Sequence, residues 1–184
     1  MLRVALFGAG RWGPILLRAL TAEPSCEVRR VVDADPARLK AIAPSCPRAR
    51  LATDAAFAAP DVDAPVIATP SATHAPLSRR ALASGRHVLV EEPVATSLAD
   101  ALALDERARK KGLTLMVGHA SLFHPAARAV EAELASGRLG GVQALRFKRT
   151  NPGPVRDGTR AANGVRVREA LSRSMTGGGA EELE

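Results

Sequence analysis

Short apolar runs alternate with stretches in which apolar positions return every three or four residues, and this alternation continues to about residue 118. Residues 2–7, Leu-Arg-Val-Ala-Leu-Phe, predict a strand. Ile15, Leu16, Ala19 and Leu20 follow at helical spacing as one expected buried face, with Pro14 in the first turn, where a missing N–H costs little. Val28, Val31 and Val32 mark a second strand over 27–33, and residues 37–43 a short helix. Further along, the pattern predicts a weak strand over 50–52, a helical turn over 54–58 and a strand over 64–68 in which Pro65 sits near the start. A helix over 73–84 stops at Gly85, a strand covers 87–90, Ser97 caps a helix that runs to Lys111 and Gly112, and 114–117 is a sixth strand.

Six strands alternating with helices imply a doubly wound, parallel α/β sheet with helices on both faces. Its boundary falls near Gly118. Residues 125–136 carry Ala126, Ala129, Val130 and Leu134 at helical spacing, glycines follow at 137, 140 and 141, and residues 142–147 alternate apolar and polar as a half-buried strand does. The expected organisation is therefore one domain over 1–118, a linking helix and the first strand of an incomplete α+β domain over 119–156, and an irregular tail over 157–184. That tail contains the triplet Gly177-Gly178-Gly179 and little apolar periodicity.

The junction of the first strand and first helix reads Gly8-Ala9-Gly10-Arg11-Trp12-Gly13, and Asp33 ends the next strand. This is a dinucleotide fingerprint in the setting its physics needs. Gly8 permits a tight turn, Gly10 lets the backbone approach a pyrophosphate, and Gly13 lets the helix pack on its strand. Unpaired N–H groups at a helix start attract phosphate, and a carboxylate at the end of the second strand accepts ribose hydroxyls. Asp33 and Asp35 equally suit capping of the helix that begins near Pro36. Thr69-Pro70-Ser71 closes the fourth predicted strand on the same, ligand-binding end of such a sheet.

Composition narrows the partners. The net charge is +7, but the excess concentrates between Arg146 and Arg173, and aromatics are only 3% with no tyrosine, so stacking platforms for single-stranded nucleic acid are nearly absent. Nucleic acid is not an expected partner. Cys26 and Cys46 have neither metal-ligand spacing nor a small secreted frame, which predicts reduced thiols, no metal site and a cytoplasmic protein. No apolar stretch is long enough for a membrane span, and no signal peptide is read.

Taken in order, the motifs resemble the Gfo/Idh/MocA oxidoreductases. Beside the glycine loop stand Val62-Asp63-Ala64 with Ile67-Ala68-Thr69-Pro70 and Thr73-His74, then Gly85-Arg86-His87-Val88-Leu89-Val90-Glu91-Glu92-Pro93, Val117-Gly118-His119 with Pro125, and Gly137-Arg138-Leu139-Gly140. The resemblance covers residues 1 to about 156. It implies a Rossmann domain that binds NAD, with NADP disfavoured because a 2′-phosphate would face Asp33, and hydride transfer to or from a sugar or cyclitol hydroxyl. Gly10-Arg11-Trp12-Gly13-Pro14 and Arg149-Thr150-Asn151 with Gly153-Pro154-Val155-Arg156 are similar to the branch acting on nucleotide-linked aminosugars or uronates.

The implied cofactor contacts are Gly8, Ala9, Gly10, Arg11, Trp12, Gly13, Asp33, Thr69, Pro70, Ser71, His74, Glu91 and Pro93. Trp12 is expected to close over the pyrophosphate or simply pack on the helix start. His74 is expected at the nicotinamide half or on the surface of the helix's first turn, Glu91 near the nicotinamide ribose, and Pro93 in a loop whose preceding bond is often cis in the family. His119 is expected as a substrate or nicotinamide contact or as a packed linker histidine, His87 as structural and His124 as a loop residue. Two departures stand out. The family usually has Glu-Lys-Pro where this chain has Glu91-Glu92-Pro93, so Glu92 occupies the position of a catalytic lysine and would serve only as a proton acceptor, and only if buried. Nothing after Arg156 matches the family's long sheet domain, which leads to the expectation of a truncated or frame-altered member. The competing expectation is a dinucleotide-binding remnant or interaction module without turnover. Association into a homo-oligomer through the open sheet face is the family's habit.

Overall fold

The computed structural model describes residues 1–54, 59–142 and 144. The expected positions 55–58, most of the strand over 142–147, the motif from Arg149 to Arg156 and the tail lie outside them. The described residues form two units, Met1–Gly118 and the residues from His119 onward.

In the first unit six strands make one parallel sheet: β1 (Leu2–Phe7), β2 (Cys26–Val32), β3 (Arg50–Ala52), β4 (Ala64–Ile67), β5 (Val88–Val90) and β6 (Leu115–Val117), in the order β3-β2-β1-β4-β5-β6. The order reverses direction between β1 and β4. At such a switch point the crossover helices leave on opposite faces and open a crevice at the carboxyl end of the strands.

The period-two geometry of β1 decides how both faces are filled. Val4 and Leu6 join Val31 and Val66 under α1 (Gly13–Ala22) and α2 (Pro36–Ile42), whose Leu17, Leu39 and Ile42 close that layer. Ala5 and Phe7 face the other way, with Val32, Ile67, Val88 and Val90, under α3 (His74–Ala83) and α4 (Leu98–Lys110), which contribute Ala81, Leu82, Leu104 and Ala108. Each fully buried Leu here contributes about 1.5–3 kcal/mol. With no aromatic beyond Phe7 among these residues, small side chains let helices and sheet approach closely.

The helix that opens the site is rotated from its expected orientation. Gly13 and Leu17 are its buried residues, and Leu16 and Leu20 pack partly beside them, while Ile15 stands 39% exposed. Steps of 100° place 13, 17 and 20 on one line, and Gly13 must lie against β1, which turns Ile15 outward. Elsewhere boundaries move by a residue or two. A short 3-10 turn, Ser71–Thr73, precedes α3, and another, Ala43–Ser45, extends α2. Asp35 caps α2 by accepting from the Ala37 N–H at 2.9 Å, and Ser97 caps α4 by accepting from Asp100 at 3.1 Å. Gly85 and Gly112 adopt positive φ where α3 and α4 turn back to β5 and β6.

At the amino end of the sheet, Arg3 donates through its backbone and guanidinium nitrogens to Asp63, at 2.6–3.0 Å. This clamp joins the starts of β1 and β4. The guanidinium holds the Asp63 carboxyl far below the ordinary carboxylate range.

In the second unit, a 3-10 turn over Ala120–Phe123 leads into α5 (Pro125–Ala135), where His124 is the cap, its Nδ1 accepting from the Ala126 N–H. Among the described residues none of the α5 side chains is buried.

Candidate functional site

The carboxyl edge of the sheet is laced by one backbone hydrogen bond per strand pair. Asp33 N–H donates to Ala52, Gly8 to Val32, Ala68 to Phe7, Glu91 to Ile67 and Gly118 to Val90, at 2.7–3.2 Å. These bonds set Asp33, Gly8, Ala68, Glu91 and Gly118, which are scattered over the sequence, in one row along the crevice.

At the centre of that row Gly8 has φ +101°, and a Cβ there would lie 2.5 Å from the Ala68 carbonyl oxygen. A Cβ on Gly13 would lie 2.2 Å from the Gly8 carbonyl oxygen. Both neighbours are backbone, which cannot step aside, so two of the three fingerprint glycines are required by packing within the fold. Gly10 is different: its nearest neighbour is the Arg38 guanidinium at 3.6 Å, so its missing side chain leaves backbone accessible from the crevice. Trp12 is the N-cap of α1 without a side-chain capping bond, and Pro14 occupies the first turn. The helix thus begins with donors that its own side chains do not cap.

Asp33 is buried, and its carboxylate braces the loop. Oδ2 accepts from the Ala9 N–H at 2.7 Å and Oδ1 from the Asp35 N–H at 2.9 Å. A carboxylate offers about four acceptor sites, so two remain for ribose hydroxyls. Capping of α2 falls to Asp35, which separates the two duties the sequence left open between these acids. Arg38, one turn into α2, reaches back with Nη1 3.9 Å from Asp33 Oδ2 and Nε 3.4 Å from Asp35 Oδ2. Sequence inspection passed over this cation; its signal was the spacing of an arginine one turn after a helix-capping acid.

On the other side of β1, the Thr73 hydroxyl donates to the Pro70 carbonyl at 2.6 Å, so the 2.7 Å contact between Thr69 and Thr73 hydroxyls has Thr69 as donor. Ser71 is half-buried in the same turn, and Pro70 is exposed. His74 lies underneath, 2% exposed, which rules out the surface position. Its Nδ1 is 2.7 Å from the Pro93 carbonyl oxygen and its Nε2 2.7 Å from that of Thr69. Carbonyl oxygens only accept, so both contacts are hydrogen bonds when both ring nitrogens carry protons. The imidazole thus sits between the loop after β4 and the loop after β5, where the Glu92–Pro93 bond is cis. The ring is spent on backbone.

Trp12 reaches across from the glycine loop, its indole N–H donating to Glu91 Oε1 at 2.6 Å. Arg11 beside it is exposed. Glu92 is exposed as well, so the burial that duty as a proton acceptor would require is not met in this unit. His87 is structural in the sense expected, accepting from the Thr114 N–H at 3.0 Å. His119 begins the second unit, where its carbonyl accepts from the Leu122 N–H at 3.0 Å and its side chain is half-buried. Among the described residues no group of three or more His, Cys, Asp or Glu is placed to hold a metal ion, and no helix is long and apolar enough to cross a membrane.

Residues 2–119 match the model of the oxidoreductase family with the NAD-binding Rossmann fold, Gfo/Idh/MocA. The chain belongs to the Gfo/Idh/MocA family. Among Gfo/Idh/MocA relatives it is 34% identical over 157 residues to the dTDP-3,4-didehydro-2,6-dideoxy-alpha-D-glucose 3-reductase of Streptomyces violaceoruber, covering 85% of this chain and 44% of that protein. It is 33% identical over 150 residues to the inositol 2-dehydrogenase of Rhizobium meliloti, covering 82% and 46%. In three dimensions it is similar to a lysine-to-glutamate variant of KijD10, a 3-ketoreductase from Actinomadura kijaniata solved with TDP-benzene and NADP. That match has a TM-score of 0.68 at 34% identity and covers 76% of this chain and 45% of the other. The chain spans about half the length of the curated relatives it matches.

Proposed function

We propose that this Gfo/Idh/MocA chain binds NAD across the β1–β4 crevice and belongs to an oxidoreductase acting on a hydroxyl of a sugar or nucleotide sugar. The observation that carries this is the cradle itself: Gly8, Gly13 and Ala68 in backbone contact, with Asp33 bonded to the Ala9 N–H and still holding free acceptor sites. Such a cradle fits a dinucleotide, because tight glycine packing opens backbone N–H groups to a pyrophosphate and the buried acid receives ribose hydroxyls.

When bound, the nicotinamide supplies a hydride acceptor for the carbinol carbon. The chain's residues do the rest. Gly8 to Gly13 and the start of α1 hold the pyrophosphate, and Asp33 fixes the adenosine ribose. Thr69, Pro70 and Ser71 bound the channel, and His74 locks that loop to Pro93. As the carbon loses hydride, the hydroxyl oxygen must lose its proton and become a carbonyl oxygen. NAD is favoured over NADP since a 2′-phosphate would meet the Asp33 carboxylate. Arg38 offsets part of that charge, so the preference is modest.

Calorimetric titration with NADH and NADPH, followed by assays on nucleotide sugars and inositol, tests the proposal. Expected are tighter binding of NADH and turnover of a nucleotide sugar; failure to bind either cofactor sinks it. Glu92 favours a second reading, a dinucleotide binder without turnover, because a carboxylate does not supply a lysine's positive field. Binding with no turnover on the panel selects that one. The NADP complex of the lysine-to-glutamate KijD10 variant supports the distinction, since a dinucleotide is held in that relative after such an exchange.

A further inference from the structure

We infer that Trp12 and Glu91 form a latch, seated on Gly118, that positions the nicotinamide end of the dinucleotide, so that this pair controls affinity for the whole cofactor and not for its ADP-ribose part. The inference rests on the dinucleotide function proposed above.

Three observations meet here. Trp12 stands at the start of α1, its backbone held by bonds from the Ile15 and Leu16 N–H groups to its carbonyl at 3.0 and 3.1 Å. Its indole nevertheless extends to a partner 79 residues away, Glu91 at the end of β5, and so spans the edge on which β4 ends. Glu91 is held in turn: its N–H is bonded to Ile67, and its carboxyl lies over Gly118, where a Cβ would be 3.0 Å from both the carboxyl carbon and Oε1.

The placement divides the crevice. Asp33, the ribose acceptor, lies on the β2 side of β1, and the indole lies on the β4–β5 side. A dinucleotide with its adenosine at Asp33 and its pyrophosphate at α1 carries its second nucleoside toward that indole. Trp12 is 42% exposed, leaving ring surface open to a flat partner. The charge-assisted bond fixes the indole's rotation before the ligand arrives and gives its N–H an acceptor when the ligand excludes water. Gly118 explains itself in the same way: a methyl there meets the flexible end of Glu91 and shifts the carboxylate away from the indole.

The chain has a single tryptophan, so its emission reports this site alone. NADH and ADP-ribose are titrated into the full chain and into Trp12→Leu, Glu91→Ala, Glu91→Gln and Gly118→Ala. Expected are a larger change of indole emission with NADH than with ADP-ribose, and a loss of about tenfold or more in NADH affinity for Trp12→Leu and Glu91→Ala. ADP-ribose affinity stays within about twofold, which also shows that the variants are folded. Glu91→Gln, which keeps an acceptor oxygen, retains most of the affinity, and Gly118→Ala behaves as a weaker Glu91→Ala. Should Trp12→Leu fail to fold, the Glu91 and Gly118 variants decide from the other end of the latch. Equal weakening of both ligands, or no weakening of NADH, overturns the latch while leaving the dinucleotide function standing. If neither ligand binds the unaltered chain, that function falls and the latch with it.

Discussion

The two halves of the crevice are built from different materials. Around β1, position is set by backbone against backbone: Gly13 on Gly8, Gly8 on Ala68 at the end of β4, and, toward β2, a buried carboxylate gripping the Ala9 N–H. On the β4–β6 side, position is set by side chains that reach across: His74 between two carbonyls, Trp12 onto Glu91, Thr69 onto Thr73, with Glu92 in the open. A half made of backbone tolerates little change and recognises what all dinucleotides share. A half made of side chains can be altered residue by residue without disturbing the sheet.

The sharpest break comes from Gly13→Ala. Its methyl meets the Gly8 carbonyl, and overpacking against backbone costs about 3 kcal/mol or more; thermal unfolding should show a large loss and calorimetry no NADH binding. A variant that keeps full affinity would mean the glycine loop is not the cradle. On the side-chain half, His74→Ala leaves the Thr69 and Pro93 carbonyls without a donor, for a loss of about 2–3 kcal/mol in urea unfolding. Its effect on NADH should exceed that on ADP-ribose, because the tied loops lie on the β4–β5 side. Asp33→Asn removes a charged acceptor while leaving an amide oxygen for one bond. About a tenfold to hundredfold loss of NADH affinity is expected, and a smaller loss for NADPH, whose 2′-phosphate is relieved of like charge.

The smallest effect belongs to the opposite edge of the sheet and serves as the control. Asp63 is held ionised by Arg3, so its folded-state pKa lies below the unfolded one. Its contribution is present above about pH 4 and is lost as pH falls below that. Asp63→Asn should therefore lower the urea midpoint slightly at neutral pH, the gap from the unaltered chain should narrow toward pH 2, and NADH affinity should not move. A change in affinity would show that the two edges are coupled.

Most of the fold was legible because it rests on local repetition. Period-two runs, helical stripes, the Ser97 cap and the glycine stops each act within a few residues, and the expected strands and helices that fall on described residues appear within a residue or two of where they were expected. Where local periodicity misled, a contact distant in sequence intervened. Ile15 fits a helical stripe, but the need to press Gly13 against β1 rotates α1 and exposes it. His74 reads either as a nicotinamide contact or as a first-turn surface residue until Pro93 is placed above it, and Arg38 has no evident role until α2 folds back toward the glycine loop.

The amino-acid sequence alone therefore determined the order of elements, the parallel sheet and the glycine fingerprint with its acid, since these depend on steric rules and periodicities that act over a few bonds. The row of strand ends, the brace from Asp33 to Ala9 and the bond from Trp12 to Glu91 were decided only by tertiary structure. Hydrogen bonds between groups 24 and 79 residues apart have no local signature. They exist once the strands have paired, and it is then that separate motifs become a single site.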